Sequence, residues 1–442
     1  MNQEEISQLI KEKRWSELKE GIVNLHPVDL ASLLSQLEPD ERKRIVKMVP
    51  HETVENLLPE LPKDLLTEVI LAFPARKSAQ LLSELPPDEM TDVLKDLTPE
   101  IRKTVFRHFS KKDSEEARDL LKYPSDTAGG LMTTEVPLLP ETLTVKEALA
   151  FMREKAKEFE TIYYIYLGKK DGTLSGVVSL RDIVLALPNA RLIDLGKSGV
   201  ISVTPDVDQE EVARLIARYD FFALPVVDKE GKLLGMVTVD DVVDVIMDEA
   251  TEDITRIGGT QPLKESYLFS SPYTLVKSRV VWLLLLFGAA TVSSSIIRNF
   301  KEVLTSVVTL AFFIPLIIDT GGNTGSQSST LMIRSMATGE IKYTHLYTII
   351  VRELFVGTML GLLVAAVGFI LALFINVSFM VSVTVATTII AVVIAANILG
   401  ATLPLLIKKM GFDPAIVSGP LLTTIVDALG LFIYFTVARM LL

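Results

Sequence analysis

The sequence predicts a multidomain membrane protein: an all-α superhelical N domain, an α/β tandem-repeat pair and an all-α five-helix transmembrane domain. Three observations carry that fold class. Charge is split along the chain, since Met1–Thr260 holds 48 acidic and 33 basic residues while Gln261–Leu442 holds 7 and 11. Five nearly uncharged runs crowd into that second part. Two unlike repeats occupy the first.

The five runs are Val280–Ile297, Val303–Ile318, Leu354–Phe374, Met380–Ile407 and Ala415–Val437. Most are long enough to cross roughly 30 Å of hydrocarbon at about 1.5 Å per residue. They are apolar all round, which argues against amphipathic helices of a soluble core. The second is expected to continue irregularly, through a non-helical glycine-rich break, as far as Met336. Lysines and arginines flank these runs unevenly. With the N-terminal part cytoplasmic, Lys277, Arg279, Arg334, Lys342, Arg352, Lys408 and Lys409 lie inside, against Arg298, Lys301 and Arg439 outside. A cytoplasmic N-terminus and an external C-terminus are expected, the odd topology that five spans require.

In the first repeat, prolines recur at 27, 39, 50, 62, 74, 86 and 99, with leucine-rich stretches between them. Proline starts a helix well and ends the previous one, so a period near 12 residues reads as two turns plus a corner. That is a superhelical scaffold without visible chemistry.

In the second repeat, Gly172–Ile183 recurs as Gly231–Val242, a shift of 59. Each copy reads strand, glycine turn, strand, then an Asp-led helix, preceded by another strand and helix. This β-α-β-β-α order, with Leu224-Pro225-Val226-Val227-Asp228 and Gly235-Met236-Val237-Thr238-Val239-Asp240-Asp241, resembles the cystathionine-β-synthase (CBS) domain. Such pairs bind adenine nucleotides or ions, or serve only as dimerisation modules. Tyr164, Arg181, Asp182 and Phe221 stand where adenine or ribose contacts could form.

Acidic residues cluster in two further places. Asp241, Asp244, Asp248 and Glu252 form one helical stripe, with Glu249 and Asp253 beside it, ending at Gly258-Gly259. Asp88, Asp92 and Asp96 form another. The plain reading is two solvated faces. The sharper one is a divalent-cation site, because hard cations take oxygen ligands.

Ionisable residues are rare among the spans, and each costs roughly 2.5–3.5 kcal/mol or more at mid-bilayer. Asp427, with Thr423 and Thr424 a turn away, is placed about 20 Å along the last span counted from Pro414. Asp319 opens the polar stretch Asp319–Gln327, which includes Gly321, Gly322 and Asn323. Non-helical backbone is tolerated at such depth only where it is buried in protein or lines water; the plain reading is a helix break satisfied by neighbouring helices, and the sharper one, expected here, is a pore wall.

Pro315–Asn323, Gly411-Phe412-Asp413-Pro414-Ala415, Ser418-Gly419-Pro420 and Thr424–Asp427 together resemble the MgtE family of magnesium channels, and the likeness extends along the whole chain. The resemblance implies a homodimeric, Mg²⁺-selective channel in the plasma (bacterial inner) membrane. Its parts are expected at 1–124 (N domain), 125–247 (CBS pair), 248–276 (acidic connecting, or plug, helix and linker) and 277–442 (pore). Internal Mg²⁺, bound between the cytoplasmic domains, is expected to close it. Carried over by motif, Asp427 is the pore residue facing its two-fold mate. Asp208, Glu210, Asp220, Asp241, Asp244, Asp248, Glu249, Glu252 and Asp253 are the regulatory acids, with Asp88, Asp92 and Asp96 in the N domain. The alternative is a CBS-regulated carrier for Mn²⁺, Co²⁺, Ni²⁺ or an anion. ATP or another adenine nucleotide is the further ligand expected at the CBS pair.

Other classes are set aside. An acidic front gives no basic face for nucleic acid. No cysteine is present, and the four histidines lack the spacing of a zinc-protease helix, so no enzyme is expected. Met1–Trp15 is charged and amphipathic, unlike a secretory signal.

Overall fold

The computed structural model describes residues 9, 12, 14–23, 25–263, 267, 270–341, 343–416 and 419–442, excepting the side chains of Ser16, Glu20, Asp64, Tyr343 and Ile416. Lys342, one of the flanking cations, and Ser418, of the Ser418-Gly419-Pro420 motif, lie outside the described residues. The chain divides into two units, Met1–Met247 and Asp248–Leu442.

Proline sets the grain of the first unit. Short helices follow one another: α1 (Trp15–Ile22), α2 (Pro27–Leu34), α3 (Pro39–Met48), α4 (His51–Leu57), α5 (Lys63–Leu71), α6 (Ala75–Leu82), α7 (Pro87–Asp96), α8 (Pro99–Phe106) and α9 (Lys111–Leu120). Pro27, Pro39, Pro87 and Pro99 occupy the first helical position, while Pro50, Pro62, Pro74 and Pro86 are N-caps. Proline's fixed φ suits both places and its missing N–H costs nothing there. One continuous core results, with Leu34, Leu57, Leu58, Leu81 and Leu82 fully enclosed. This is the stacked α-helical layer that the proline period implies.

After α10 (Ala128–Leu131) the repeat becomes α/β. The first copy holds β1 (Leu138–Pro140), α11 (Val145–Lys155), β2 (Tyr164–Gly168), β3 (Leu174–Ser179) and α12 (Leu180–Leu185). β1 pairs parallel with β2, and β2 antiparallel with β3. α11 opens on a capping box in which Thr144 and Glu147 satisfy each other's backbone N–H. Past α13 (Leu192–Leu195), the second copy holds α14 (Gln209–Tyr219), β4 (Ala223–Val227), β5 (Leu233–Thr238) and the start of α15 (Val239–Ile257). Its first strand is reduced to a parallel bridge between Val203 and Val226. Tyr166, Ala223 and Met236 pack together between the two copies.

The unit boundary falls within α15, which closes at Gly258 and at Gly259, whose φ is +68°. In the second unit the long helices are α16 (Pro272–Asn299), α18 (Ile314–Ala337), α19 (Leu346–Phe374), α20 (Phe379–Lys409) and α21 (Gly419–Leu441), with the short α17 (Lys301–Ser306) after α16. Four of them, α16, α19, α20 and α21, are long and apolar enough to cross a membrane by length and composition. α18 is the fifth long helix and the most polar.

Two expectations need correction here. Val303–Ile318 is not one span: it breaks after α17 at Val307, passes through a 3₁₀ turn over Val308–Phe313 and enters α18. The glycine-rich stretch Asp319–Gln327, expected to be non-helical, lies wholly inside α18. Its glycines are spent on close packing. A methyl group on Gly321 would meet Val392 at 2.8 Å and Val426 at 2.9 Å. Glycine's helix penalty, about 1 kcal/mol each, is offset where small residues let backbones approach. Where α18 crosses α20, a methyl on Gly400 would collide with the Gly325 carbonyl oxygen.

Candidate pore and cation-sensing sites

In the membrane unit, α18 and α21 lie side by side and bring the intramembrane polar residues together. A methyl on Gly322 would fall 3.2 Å from Thr423 Cγ2 and 3.5 Å from Asp427 Oδ1, so the Asp427 carboxylate sits against the bare backbone of α18. Pro414–Ile416 is a 3₁₀ turn and α21 begins only at Gly419. Asp427 is therefore eight residues into its helix, about 12 Å along the axis rather than the 20 Å expected. Thr423 and Thr424 both donate to the Pro420 carbonyl, at 3.0 and 2.8 Å, which leaves their oxygen lone pairs free to accept.

The outward face of α18 is polar where a lipid-facing helix should be apolar. Asp319, Asn323, Gln327, Thr330 and Arg334 follow at helical spacing and are all exposed, while Gly321, Gly325, Ser328 and Met332 on the opposite side are buried. Asp319 lies near enough for its charge to act on Asp427. Among the described residues no basic side chain pairs with either acid. A stripe of this kind needs water or another polar surface in front of it. Its chemistry, carboxylate, amide and hydroxyl oxygens, suits a hard cation that keeps its waters.

The same unit holds the second half of α15. Arg256 there pairs with Glu252 of its own helix and with Asp413 in the loop before α21. Asp413 also accepts from the Ala415 backbone at 2.8 Å. Glu252 thus already has a positive partner, which qualifies its expected place among the cation ligands. Asp248 is exposed, and Glu249 and Asp253 are half-buried.

In the first unit, α7 meets the start of α15 through acids. Asp88 is 9% exposed. Its Oδ1 and Glu89 Oε2 have no hydrogen-bond partner among the described residues. Burial, with Asp241 and Glu160 nearby, pushes the Asp88 carboxyl well above the usual range. The same causes raise Glu89 to about 8 and, with Asp241 and Glu135 as neighbours, Glu160 to about 7. Burial first, and then Asp240, lifts Asp241 to about 6 although Thr238 donates to it. A cavity of about 80 Å³ is lined by Lys63, Glu89, Asp92, Asp96, Asp241 and Asp244. Lys63 reaches Asp92 at 3.1 Å, and Lys95 reaches it at 3.4 Å. Two lysines, both spent on Asp92, cannot balance so many carboxylates, and a divalent cation would supply the missing charge.

The fold thus brings Asp88, Asp92 and Asp96 together with Asp241 and Asp244, which the sequence shows only as two separate acidic clusters, and adds Glu89 and Glu160, which the sequence reading does not single out. Glu160 follows Glu154 and Glu158 in a stretch of mixed charge, with nothing in that pattern to set it apart; only folding carries it there. Asp208, Glu210 and Asp220 lie elsewhere on the second CBS copy. Asp208 caps α14 by accepting from the Glu210 N–H at 2.8 Å, and Asp220 ends that helix in the left-handed conformation, φ 54°. All three are exposed.

At the nucleotide residues, Ser179 and Asp182 of the first copy repeat as Thr238 and Asp241 of the second. Ser179 Oγ donates to Asp182 at 2.7 Å and accepts from its N–H. Only the first copy's aspartate stays clear of the acid cluster, beside exposed Arg181. Tyr164 faces Phe222 with ring centroids 6.2 Å apart, and Tyr163 stands at 5.3 Å from the same ring. Phe221 instead stacks on Tyr219 at 5.4 Å and turns toward the second core. Phe222 and Tyr163, both more than half exposed, form with Tyr164 an aromatic surface that the sequence reading does not name.

Comparison with known proteins agrees along the length. The family described as MgtE, divalent cation transporter, matches residues 314–437; the MgtE intracellular N domain matches 25–126; and the CBS domain matches 128–189 and 193–248. The magnesium transporter MgtE of Thermus thermophilus is 40% identical over 446 residues, covering 99% of this chain and 98% of that one. The magnesium transporter MgtE of Bacillus subtilis is 37% identical over 330 residues, covering 74% and 72%. A crystal structure of the cytosolic domain of the Mg²⁺ channel MgtE in complex with ATP aligns at TM-score 0.52 with 37% identity, over 55% of this chain and all of that one. By its three matched domains and its full-length likeness to the Thermus protein, the chain belongs to the MgtE family of divalent cation transporters.

Proposed function

We propose that this chain is a homodimeric, Mg²⁺-selective channel that admits magnesium to the cytoplasm and closes when internal Mg²⁺ is high. Asp427 carries the reading: a carboxylate without a basic partner among the described residues, inside a helix of a membrane unit, against a glycine backbone and a polar stripe. Two such aspartates on a two-fold axis would hold a hydrated Mg²⁺ through its waters, with Asn323, Thr423, Thr424 and Asp319 around it. A divalent ion gains more than a monovalent one from a paired-carboxylate field.

Closure follows from charge. The acids of α7 and α15, unbalanced without cations, favour separation, and Mg²⁺ between them favours the compact state and shifts the population toward it. The segment 248–276 then acts as the plug, between a sensor of residues 1–124 and 125–247 and a pore of 277–442. ATP is the proposed second ligand, stacked on Tyr163, Tyr164 and Phe222 with Arg181 at its phosphates and Asp182 at its ribose. The relatives' names support magnesium as the cargo, and the ATP-bound relative supports ATP as a ligand. The lysine and arginine bias supports soluble domains inside and Leu442 outside.

The test is flux into liposomes. Asp427→Ala should abolish Mg²⁺ uptake while the protein stays folded and monodisperse, and wild-type protein should pass Mg²⁺ and not chloride. Undiminished Mg²⁺ flux in the variant removes Asp427 from the mechanism.

A further inference from the structure

A polar knot ties three membrane helices together away from Asp427. Glu353 of α19 accepts from Asn397 Nδ2 of α20 at 2.8 Å, and its Oε2 lies 3.3 Å from Ser328 Oγ of α18. The Ser328 hydroxyl also lies 3.0 Å from the Asn397 carbonyl oxygen, and Asn397 Nδ2 lies 3.3 Å from the Glu353 carbonyl oxygen. Asn397 is 4% and Ser328 7% exposed.

The knot heads a seam of small residues. Gly357, Gly361, Ala365, Gly368 and Ala372 continue from Glu353 at steps of three or four, all buried. A methyl on Gly357 would stand 3.1 Å from Ile394 Cα, and one on Gly361 3.1 Å from Ile390 Cα. Next to Ser328, Gly400 of α20 lies directly against the Gly325 backbone of α18. Small residues let helices approach in lipid but do not fix their rotation, since hydrocarbon rewards no particular face. Directional hydrogen bonds do, and those to a carboxylate are stronger than neutral ones. At about 100° per residue, Ser328 lies about 140° and Gly325 about 160° around α18 from Asn323. The knot grips the side of α18 that faces away from the exposed polar stripe.

We propose that Glu353 is a positioning residue for conduction: held by Asn397, its carboxylate locks the rotation of α18 so that Asp319, Asn323 and Gln327 face the ion path. The word conduction rests on the channel reading above; the lock itself does not.

The experiment uses the full chain in liposomes, with a single cysteine at Asn323 or Thr324 in a sequence that has none. A membrane-impermeant thiol reagent reports which position meets water, and Mg²⁺ flux per molecule and the Mg²⁺/Mn²⁺ ratio are read on the cysteine-free variants. With the knot intact, position 323 labels much faster than 324. Glu353→Ala erases that preference, lowers Mg²⁺ flux about tenfold, as misplaced groups commonly do, and alters the ion ratio, which loss of folded protein alone does not change. Glu353→Gln keeps an oxygen acceptor and retains the labelling preference and most of the flux. A folded Glu353→Ala protein with wild-type labelling and ion ratio overturns the proposal. If that variant does not fold, Ser328→Ala carries the comparison: a weakened preference supports the lock, and an unchanged one overturns it. Wild-type protein that shows the labelling preference but passes no Mg²⁺ refutes the channel reading and leaves the lock standing.

Discussion

Asp427 and Glu353 are both acids within membrane helices, yet only one was visible in the sequence. Asp427 interrupts an apolar run with no cation near it, so its cost in lipid marks it at once. Glu353 follows Arg352 directly and precedes the run that begins at Leu354, which reads as the charged edge of a span. The helix actually starts at Leu346, which draws Glu353 seven residues inward to partners on two other helices. Partners distant in sequence leave no local signal. The glycines of α18 carry a related lesson, because tight packing and a broken helix ask for the same residue. Gly400→Ala separates the two at one crossing. Its methyl would press on the Gly325 carbonyl, so the variant should lose about 2 kcal/mol of stability, read as a lower melting temperature in detergent. An unchanged melting temperature would mean that the helices part there at no cost.

At the level of elements, α7 and the start of α15 form a charge-loaded joint. Glu89, Glu160 and Asp241 have carboxyls raised to about 8, 7 and 6, chiefly by burial. The folded, cation-free joint therefore holds protons that the unfolded chain has already released. Between about pH 4.5 and about pH 8 the unfolded state binds fewer protons, so stability falls as pH rises. Amide hydrogen exchange over residues 88–96, corrected for intrinsic rates, should accelerate between about pH 6 and about pH 8 without divalent ions and slow again when Mg²⁺ displaces the protons. Faster exchange at the lower pH would contradict it. Helical stripes and proline period placed Asp88, Asp92, Asp241 and Asp244 on the right elements. What no spacing gave was that these elements meet each other and bring Glu89 and Glu160 with them.

Over the whole molecule, the order of modules was legible because each has its own period: about 12 residues for the superhelix, 59 for the CBS pair and long apolar runs for the membrane unit. The fifth long helix was the least legible, since α18 owes its place to a glycine face and a polar face rather than to hydropathy. A reporter fused after Leu442 should be active outside the cell; cytoplasmic activity would overturn the odd topology. Deleting residues 1–260 should leave a pore that passes Mg²⁺ whatever its internal concentration, and retained closure at high Mg²⁺ would refute the sensor's role. All of this depends on Asp427 meeting water. Asp427→Cys, the one thiol in the full-length protein, should react with a water-soluble reagent from at least one side of the membrane. Protection from water, with labelling only by a lipid-soluble maleimide, would turn position 427 toward acyl chains and contradict the account.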